Sequence, residues 1–275
     1  DVAGFTIVQS EATTEVAESG TTDTFTVVLD AEPTSDVVLT VTSSDSGEAT
    51  VTSTLTFTSA NWDTPQTITV TGVNDDLIDG DIVSTVTVVV DDANSNDDFD
   101  AVADQTVSVT TTDDDVAGFT IVESDGSTEV AESGTTDTFT IVLDAQPTSD
   151  VVLTVTSSDT GEATVTSSLT FTPANWDTPQ TITITGVDDD IIDGTVTSTI
   201  TISVVDASSN DNFDSVADQT VSVTTTDDDV AGFTIVESDG STEVAESGTT
   251  DTVTVVLDAE PASDVVISIS SDDTG

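Results

Sequence analysis

The chain has 275 residues, of which 55 are Asp or Glu and none is Lys, Arg or His, so its formal net charge is −55. No salt bridge can form between its side chains, and nucleic acids or anionic membrane surfaces, which proteins bind through Lys and Arg, would repel it. Hydrophobic residues make up 35% of the chain, which is enough apolar surface for folded domains and argues against disorder. Cysteine is absent, so disulfides play no part.

The octapeptide DVAGFTIV begins at positions 1, 115 and 229, which sets a repeat period of 114 residues. We therefore predict two complete repeats, 1–114 and 115–228, and a truncated third repeat, 229–275. Residues 115–138 and 229–252 are identical, including positions expected to face water, which indicates recent duplication. The chain is predicted to be part of a longer tandem array.

Within a repeat, short segments alternate between apolar residues and Thr or Ser, with no helical period. In the first repeat these segments cover residues 4–8, 23–30, 36–44, 54–58, 66–73, 84–90 and 105–112. Turn-forming clusters such as DAEPTSD and VNDDLIDGD separate them. Seven short strands at this spacing predict an all-β fold in which each repeat is an antiparallel β-sandwich. A barrel is the alternative.

Alternating strand directions would bring acidic residues together at one pole of each sandwich. The loops after strands one, three and five would lie there, beside the end of strand seven. The acidic residues at this pole are Glu18, Asp45, Asp75, Asp76, Asp79, Asp113, Asp114 and Asp115 in the first repeat, then Glu132, Asp159, Asp188, Asp189, Asp190, Asp193, Asp227, Asp228 and Asp229 in the second, and Glu246 in the third. The convergence assumes that the segment EATVTSTLTFT is one strand.

Such a crowded pole needs cations from solution. Carboxylates about 4 Å apart repel each other by roughly 4 kcal/mol at an effective dielectric constant of about 20. A ligand set of oxygens without His or Cys argues against zinc, copper and iron. Calcium accepts about six to eight oxygen ligands in loose geometry, whereas magnesium requires a small octahedron. We therefore predict that Ca²⁺ binds these acidic residues.

Four segments in the same order resemble a known family. They are Glu-Ser-Gly after the first strand, LTFT followed by NWDTPQTIT, the loop GVDDDIIDG, and the closing TTTDDD. Over the whole repeat the sequence resembles the Calx-beta-type and cadherin-like repeats of giant bacterial surface adhesins. The resemblance implies an immunoglobulin-like sandwich with calcium at the tip between successive domains, in an elongated array. The calcium ligands that the resemblance implies are Glu18, Asp45, Asp75, Asp76, Asp113, Asp114 and Asp115 and their equivalents in the second repeat.

The same resemblance gives a role to the junction between repeats. No Gly/Ser or Pro spacer separates Asp115 from Gly118, so a metal-bound junction is expected to be stiff. Asp211 and Asp214 are candidates for ligands contributed by the following domain. The first repeat departs from the second at Asn74, where the second has Asp188, so its site is expected to be weaker by one carboxylate.

The residue types also limit the functions to consider. With no His, Cys, Lys, Arg or Tyr, catalysis would depend on Asp, Glu, Ser or Thr alone. A site present in every repeat indicates scaffolding, so we predict that the chain is not an enzyme. Trp62 and Trp176 could stack on carbohydrate, but a structural role at a strand edge is favoured. No apolar run is long enough for a transmembrane helix.

The favoured hypothesis is a calcium-stiffened structural spacer of a long extracellular adhesin or surface fibre, located at the cell surface. Its partners would be neighbouring repeats of the same chain and other copies of itself in a fibre. One alternative is a self-associating filament or sheath subunit bridged by calcium. Another is a repeat that itself binds polysaccharide or ice, the latter through its Thr-rich faces. Salt adaptation is a rival explanation of the acidity.

Overall fold

The computed structural model describes residues 2–272. Asp1, where the predicted first repeat begins, and residues 273–275, where the predicted third repeat ends, lie outside the described residues. The described chain is nearly all β-structure, as the alternation predicted. Its internal contacts divide it into two compact units, residues 2–117 with 145–148 and residues 118–144 with 149–272.

The first repeat contains nine strand segments in two sheets. They are β1 (Phe5–Gln9), β2 (Thr14–Ala17), β3 (Thr22–Leu29), β4 (Val37–Ser43), β5 (Ala49–Val51), β6 (Thr54–Phe57), β7 (Gln66–Gly72), β8 (Ile82–Val90) and β9 (Gln105–Thr112). One sheet has the order β1-β3-β7-β5 and the other the order β2-β9-β8-β4-β6. All neighbouring strands are antiparallel except β2 and β9, which are parallel.

The alternating sequence pattern forms one core between the two sheets. Phe25 on β3 and Ile68 on β7 come from the four-stranded sheet, while Leu39 on β4 and Phe57 on β6 come from the five-stranded sheet, and all four are fully buried in the same cluster. Burying each such side chain contributes about 1.5–3 kcal/mol. The two sheets therefore pack face to face as a β-sandwich, which confirms the predicted fold class.

The strand count differs from the predicted seven because the chain changes sheets twice. The β5–β7 ladder continues to Thr52, whose N–H donates to the carbonyl of Thr69, and the next residue, Ser53, accepts from Val41 N–H in the other sheet. The segment EATVTSTLTFT is thus two strands, and the single-strand assumption was wrong. However, adjacent residues continue the two ladders, so the chain passes between sheets without reversing. The pole predicted for the acidic loops is therefore unchanged.

The second sheet change occurs near the start of the repeat. β1 pairs with β3 in the four-stranded sheet, and after a short bend β2 pairs with β9 in the five-stranded sheet. The four-residue segment TEVA was not predicted as a strand, because its local alternation is too short to stand out. Its partner β9 lies at the far end of the repeat, so only the tertiary fold defines this pairing.

The second repeat has the same architecture. Its strands are β10 (Phe119–Glu123), β11 (Thr128–Ala131), β12 (Thr136–Leu143), β13 (Val151–Ser157), β14 (Ala163–Val165), β15 (Ser168–Phe171), β16 (Gln180–Gly186), β17 (Val196–Val204) and β18 (Gln219–Thr226). The sheet orders are β10-β12-β16-β14 and β11-β18-β17-β13-β15. In the third repeat, β19 (Phe233–Glu237) and β20 (Val253–Leu257) form an antiparallel pair.

In the described part of the chain, helical structure is limited to four short 3-10 helices. They lie at Asp92–Asn94, Asp97–Phe99, Asp206–Ser208 and Asp211–Phe213. No helix within residues 2–272 has the length and apolar character needed to cross a membrane.

The two tryptophans pack as parts of their sandwiches. Trp62 is half-buried against the core of the first repeat, and its carbonyl accepts a hydrogen bond from Leu29 N–H at 3.2 Å. Trp176 is equally half-buried, and its carbonyl accepts from Leu143 N–H at 3.2 Å. Both arrangements match the structural role favoured from the sequence. They also place one tryptophan in each complete repeat.

Candidate metal centre

Four chain segments meet at one pole of the first sandwich, here called the acidic tip: residues 18, 45–48, 73–81 and 113–115. The parallel pairing of β2 with β9 sets the first contact, because Ala17 lies opposite Thr112. The N–H of Glu18 donates to the carbonyl of Thr112 at 3.1 Å, which extends the ladder by one residue. Glu18 and Asp113 therefore leave the sheet side by side.

A glycine at the end of β7 allows the other sheet to approach this point. A Cβ atom on Gly72 would lie 2.0 Å from the carbonyl oxygen of Ala17, so no other residue fits without moving the main chain. Gly186 has the same relation to Ala131 in the second repeat. The close contact brings the β7–β8 loop against the end of β2, and with it the acidic residues of that loop.

Hydrogen bonds to main-chain amides fix the conformation of the tip. The carboxylate of Asp113 accepts from Gly80 N–H and from Asp115 N–H, each at 2.8 Å. Asp75 accepts from Leu77 N–H at 2.8 Å. Asp113 thus uses both oxygens to join the β7–β8 loop to the segment after β9.

Two groups of carboxylates result. The first contains Glu18, Asp75 and Asp115, and the second contains Glu18, Glu48 and Asp79; in each group one oxygen from every residue lies within 4.8 Å of the others. Glu18 belongs to both groups and is only 1% exposed. Each group could hold a metal ion, and the shared residue would lie between the two.

The buried oxygens of these groups lack protein partners. Both carboxylate oxygens of Glu18, Oε2 of Glu48 and Oδ2 of Asp115 are buried and receive no hydrogen bond from the described part of the chain. Leaving a buried polar atom unpaired costs about 1–3 kcal/mol, and more when the atom is charged. Because the chain has no basic side chain, neutralisation must come from protons or from cations in solution.

The electrostatics of the tip favour proton uptake when no cation is bound. Burial, followed by the negative charges of Asp113 and Asp75, raises the pKa of Glu18 from 4.5 to about 7. Burial also raises the pKa of Glu48, with added repulsion from Asp79. The pKa values of Asp79 and Asp115 are raised by burial and then by neighbouring aspartates.

The second repeat reproduces the arrangement. Its two groups are Glu132, Asp189 and Asp229, and Glu132, Glu162 and Asp193. Both oxygens of Glu132, Oε2 of Glu162 and Oδ2 of Asp229 are buried without a partner among the described residues. Burial, then the charge of Asp227, raises the pKa of Glu132 to about 7. The pKa values of Glu162 and Asp229 are raised as well, with burial as the first cause.

The other predicted ligands lie at the tip but outside these groups. Asp45 and Asp159 are exposed, and each accepts from a glycine amide two residues later at 3.0 Å. Asp227 accepts from Gly194 and Asp229 amides, as Asp113 does from its equivalents. Five further members are also exposed: Asp76, Asp114, Asp188, Asp190 and Asp228. Their roles as ligands stay predictions.

Two predicted contributions lie elsewhere. Glu246 is exposed in a turn of the third repeat. Asp211 begins the 3-10 helix Asp211–Phe213, and Asp214 follows it. The proposed contribution of Asp211 and Asp214 to a junction between domains stays a prediction.

Glu48 and Glu162 are the site residues that the sequence prediction missed. Each stands directly before a fully buried alanine that begins a strand, Ala49 or Ala163. Strand alternation places that alanine inward and the glutamate outward, so burial of the glutamate was not expected. The signal that could have identified this glutamate is the tripeptide Gly-Glu-Ala, which recurs at the repeat period. It places a second glutamate at a pole whose other acidic residues are Glu18 and aspartates.

No protein-family model matches the chain, and no curated protein matches it. Among solved structures it is similar to the calcium binding domain CBD12 of CALX1.1, with 16% identity over 72% of this chain and 80% of that one and a TM-score of 0.31. The S-layer protein SbsC domains 4 and 5 show 17% identity over 82% of this chain and all of theirs, with a TM-score of 0.33. A structure of SbsC domains 1–6 shows 15% identity over 94% of this chain and 37% of that one, with a TM-score of 0.35. Likeness at this level carries no functional conclusion.

Proposed function

We propose that the acidic tip of each complete repeat binds calcium, and that bound calcium makes the repeat a stiff structural spacer. The observation that supports this most is the set of buried carboxylate oxygens without partners, centred on Glu18 and repeated at Glu132. A fold that buries several negative charges together in a chain without basic residues is stabilised when cations neutralise those charges.

The ligand chemistry favours calcium among the available cations. Every side chain at the tip offers oxygen, and the ligands come from separate loops, which suits the larger and less regular coordination shell of Ca²⁺. Glu18, Asp75 and Asp115 would hold one ion, and Glu18, Glu48 and Asp79 a second. Bound calcium would supply positive charge that replaces protons on these groups, and the chain's part is to position the oxygens.

The mechanical consequence follows from the origin of the ligands. The tip joins the end of β2, the start of β5, the β7–β8 loop and the end of β9. Each ion would cross-link three of these parts, and the two ions together would cross-link all four. At a concentration of a hundred times its dissociation constant, each ion adds about 2.7 kcal/mol to the free energy of unfolding. Such a repeat suits a spacer of an extracellular adhesin or surface fibre, which is the location and role that we propose.

Lateral self-association is a second candidate. Among the strand residues of the first repeat only Glu15 and Asp23 are acidic, so the outer sheet faces present Thr, Ser and Val in a chain of net charge −55. Uncharged faces could contact other copies once calcium neutralises the tips. Sedimentation across a range of protein concentrations distinguishes the two roles: a spacer stays monomeric in calcium, whereas a sheath subunit forms larger species.

Calorimetric titration with calcium tests the proposal. We expect about two tight sites per complete repeat, one for each carboxylate group. Glu18→Gln should remove both sites of the first repeat and leave those of the second. Glu32→Gln is the matched control, because Glu32 is exposed at the opposite pole and the equivalent residue of the second repeat is Gln146. If Glu18→Gln and Glu32→Gln titrate alike, the proposal is wrong.

A further inference from the structure

Four Asp-Gly dipeptides within residues 2–272 differ in a way that bears on covalent modification. They are Asp79–Gly80, Asp125–Gly126, Asp193–Gly194 and Asp239–Gly240. At an Asp-Gly bond the glycine amide nitrogen can attack the aspartate side-chain carbon. The new C–N bond replaces the carbon–hydroxyl bond of the carboxyl group, the hydroxyl leaves with the amide proton as water, and a five-membered succinimide forms. Water then opens this ring at the main-chain carbonyl to give isoaspartate, so the overall change is an isomerisation that needs no other reactant.

Backbone conformation and exposure do not separate the four sites. Gly80 and Gly126 have almost the same left-handed conformation, with φ of 78° and 80°. Asp79 and Asp125 are both exposed. Any difference in reactivity must therefore come from contacts of the attacking amide and of the carboxylate.

The amide of Gly80 is held away from the reaction. Its N–H donates to Oδ2 of Asp113 at 2.8 Å, and the equivalent Gly194 N–H donates to Asp227 at 2.7 Å. A hydrogen bond to a carboxylate is among the stronger kinds, and it must break before the nitrogen can turn towards its own side chain. In addition, an oxygen of Asp79 lies within 4.8 Å of oxygens of Glu18 and Glu48, so this carboxylate is directed into the acidic tip.

The amide of Gly126 has no such restraint. None of the hydrogen bonds found among the described residues uses the N–H of Gly126 or of Gly240. Asp125 belongs to neither carboxylate group of the second repeat, and residues 124–127 are all exposed in the bend between β10 and β11. Nothing in the fold therefore keeps the amide nitrogen from the side-chain carbon.

We propose that Asp125–Gly126 and Asp239–Gly240 are sites of succinimide formation and isomerisation to isoaspartate, and that Asp79–Gly80 and Asp193–Gly194 are protected by the hydrogen bonds from their glycine amides to Asp113 and Asp227. The modification adds a methylene to the main chain between β10 and β11, away from the acidic tip. This inference does not depend on calcium binding. The first repeat contains an internal control, because Glu11–Ala12 stands where the second repeat has Asp125–Gly126.

Peptide mapping of aged protein tests the proposal. The full chain is incubated in neutral, metal-free buffer at physiological temperature, in parallel with a sample unfolded in urea. Chymotryptic peptides 120–139 and 234–257 differ in sequence, so the two open sites can be quantified separately by mass spectrometry with isoaspartate-specific fragmentation. In folded protein, isomerisation at residues 125 and 239 should exceed that at 79 and 193 by at least about tenfold, because the hydrogen bond must first break. In urea the four rates should become similar.

A variant tests the protective contact itself. Asp113→Ala removes the acceptor of Gly80 N–H and should raise isomerisation at residue 79 towards the rate at residue 125, while residue 193 in the same molecule stays protected. Trp62 fluorescence checks that the first repeat remains folded, and Asp227→Ala repeats the test in the second. Equal rates at all four sites in folded protein would overturn the proposal. So would a lack of isoaspartate at 125 and 239 when the urea sample reacts at every site.

Discussion

Both poles of the first sandwich are rich in acidic residues, but they differ in how far the carboxylates are buried. At the acidic tip, Glu18 and Glu48 are 1% and 7% exposed and have carboxylate oxygens without partners. At the opposite pole, Asp97, Asp98 and Asp100 are exposed to water. The buried polar group there is the neutral Asn96, which donates to Thr34 and Ser35 and accepts from Asp98 N–H.

This contrast shows which feature distinguishes a candidate metal site from a solvated surface. Both poles have crowded negative charge, and water can screen it where the side chains are exposed. Among the residues that the structure describes in the first sandwich, only those at the tip have buried carboxylate oxygens without partners. Buried carboxylate oxygens without hydrogen-bond partners therefore identify the pole that needs a cation. The number of acidic residues alone would not distinguish the two poles.

Removal of calcium by a chelator is expected to have the largest effect on the free energy of unfolding of the complete repeats. With two ions per complete repeat, their removal should lower the free energy of unfolding by roughly 5 kcal/mol per repeat when calcium is initially a hundredfold above its dissociation constant. Thermal or urea unfolding followed by tryptophan fluorescence measures it, with high NaCl held constant. An unchanged unfolding midpoint would mean that the acidity serves salt tolerance.

Neutralising Glu18 should change stability in opposite directions with and without calcium. Glu18→Gln removes a buried unpaired charge, so the metal-free first repeat should gain about 1–3 kcal/mol. The same variant should lose most of the stabilisation that calcium gives. Fluorescence of Trp62 in a Trp176→Phe background isolates the first repeat.

The exposed residue Glu32 supplies the matched control for that variant. Glu32→Gln at the opposite pole should alter the unfolding free energy by less than about 0.5 kcal/mol in either condition. If the two variants have the same effect on metal-free protein, burial at Glu18 does not carry the energetic cost that we assign to it.

The pH dependence of the metal-free protein should reveal the raised pKa of Glu18. Because its pKa rises from 4.5 to about 7 on folding, the folded state binds the extra proton between these values. Its contribution to stability is therefore complete below pH 4.5 and is lost as the pH rises through about 7. Urea unfolding of the metal-free protein across this pH range measures how steeply the free energy of unfolding changes with pH. Glu18→Gln should make this dependence shallower. Stability that rises with pH over the same range would contradict this assignment.

The smallest expected effect concerns the difference between the two complete repeats. Asn74 stands where the second repeat has Asp188, and both positions are exposed. Asn74→Asp should tighten calcium binding by the first repeat, and Asp188→Asn should weaken binding by the second, each by no more than about 1 kcal/mol because water screens exposed charges. Calorimetry on the reciprocal pair detects it. A change of the same sign in both variants would count against a role for this position.

Local sequence signals predicted the sandwich and the pole. The period of two in segments such as QTITVTG defined which residues face the core, and the turn clusters marked where strands end. Because the strand directions followed from this pattern, the meeting of Glu18, the β7–β8 loop and Asp113–Asp115 could be expected. Recurrence at the repeat period reinforced each of these assignments.

The features that escaped prediction depend on contacts between distant segments. Glu48 is buried where it meets Glu18 and Asp79, which come from two other segments, and no local pattern marks that meeting. The pairing of β2 with β9 joins residues almost a whole repeat apart. The division of the acids into two groups sharing Glu18 likewise depends on the close approach of Gly72 to Ala17.

Anomalous diffraction from crystals grown with calcium, or with a lanthanide in its place, would locate bound ions directly. We expect density at both carboxylate groups of each complete repeat, with Glu18 or Glu132 contacting both ions. Density confined to exposed acids such as Asp97 and Asp98, with Glu18 and Glu48 free of any ion, would contradict it.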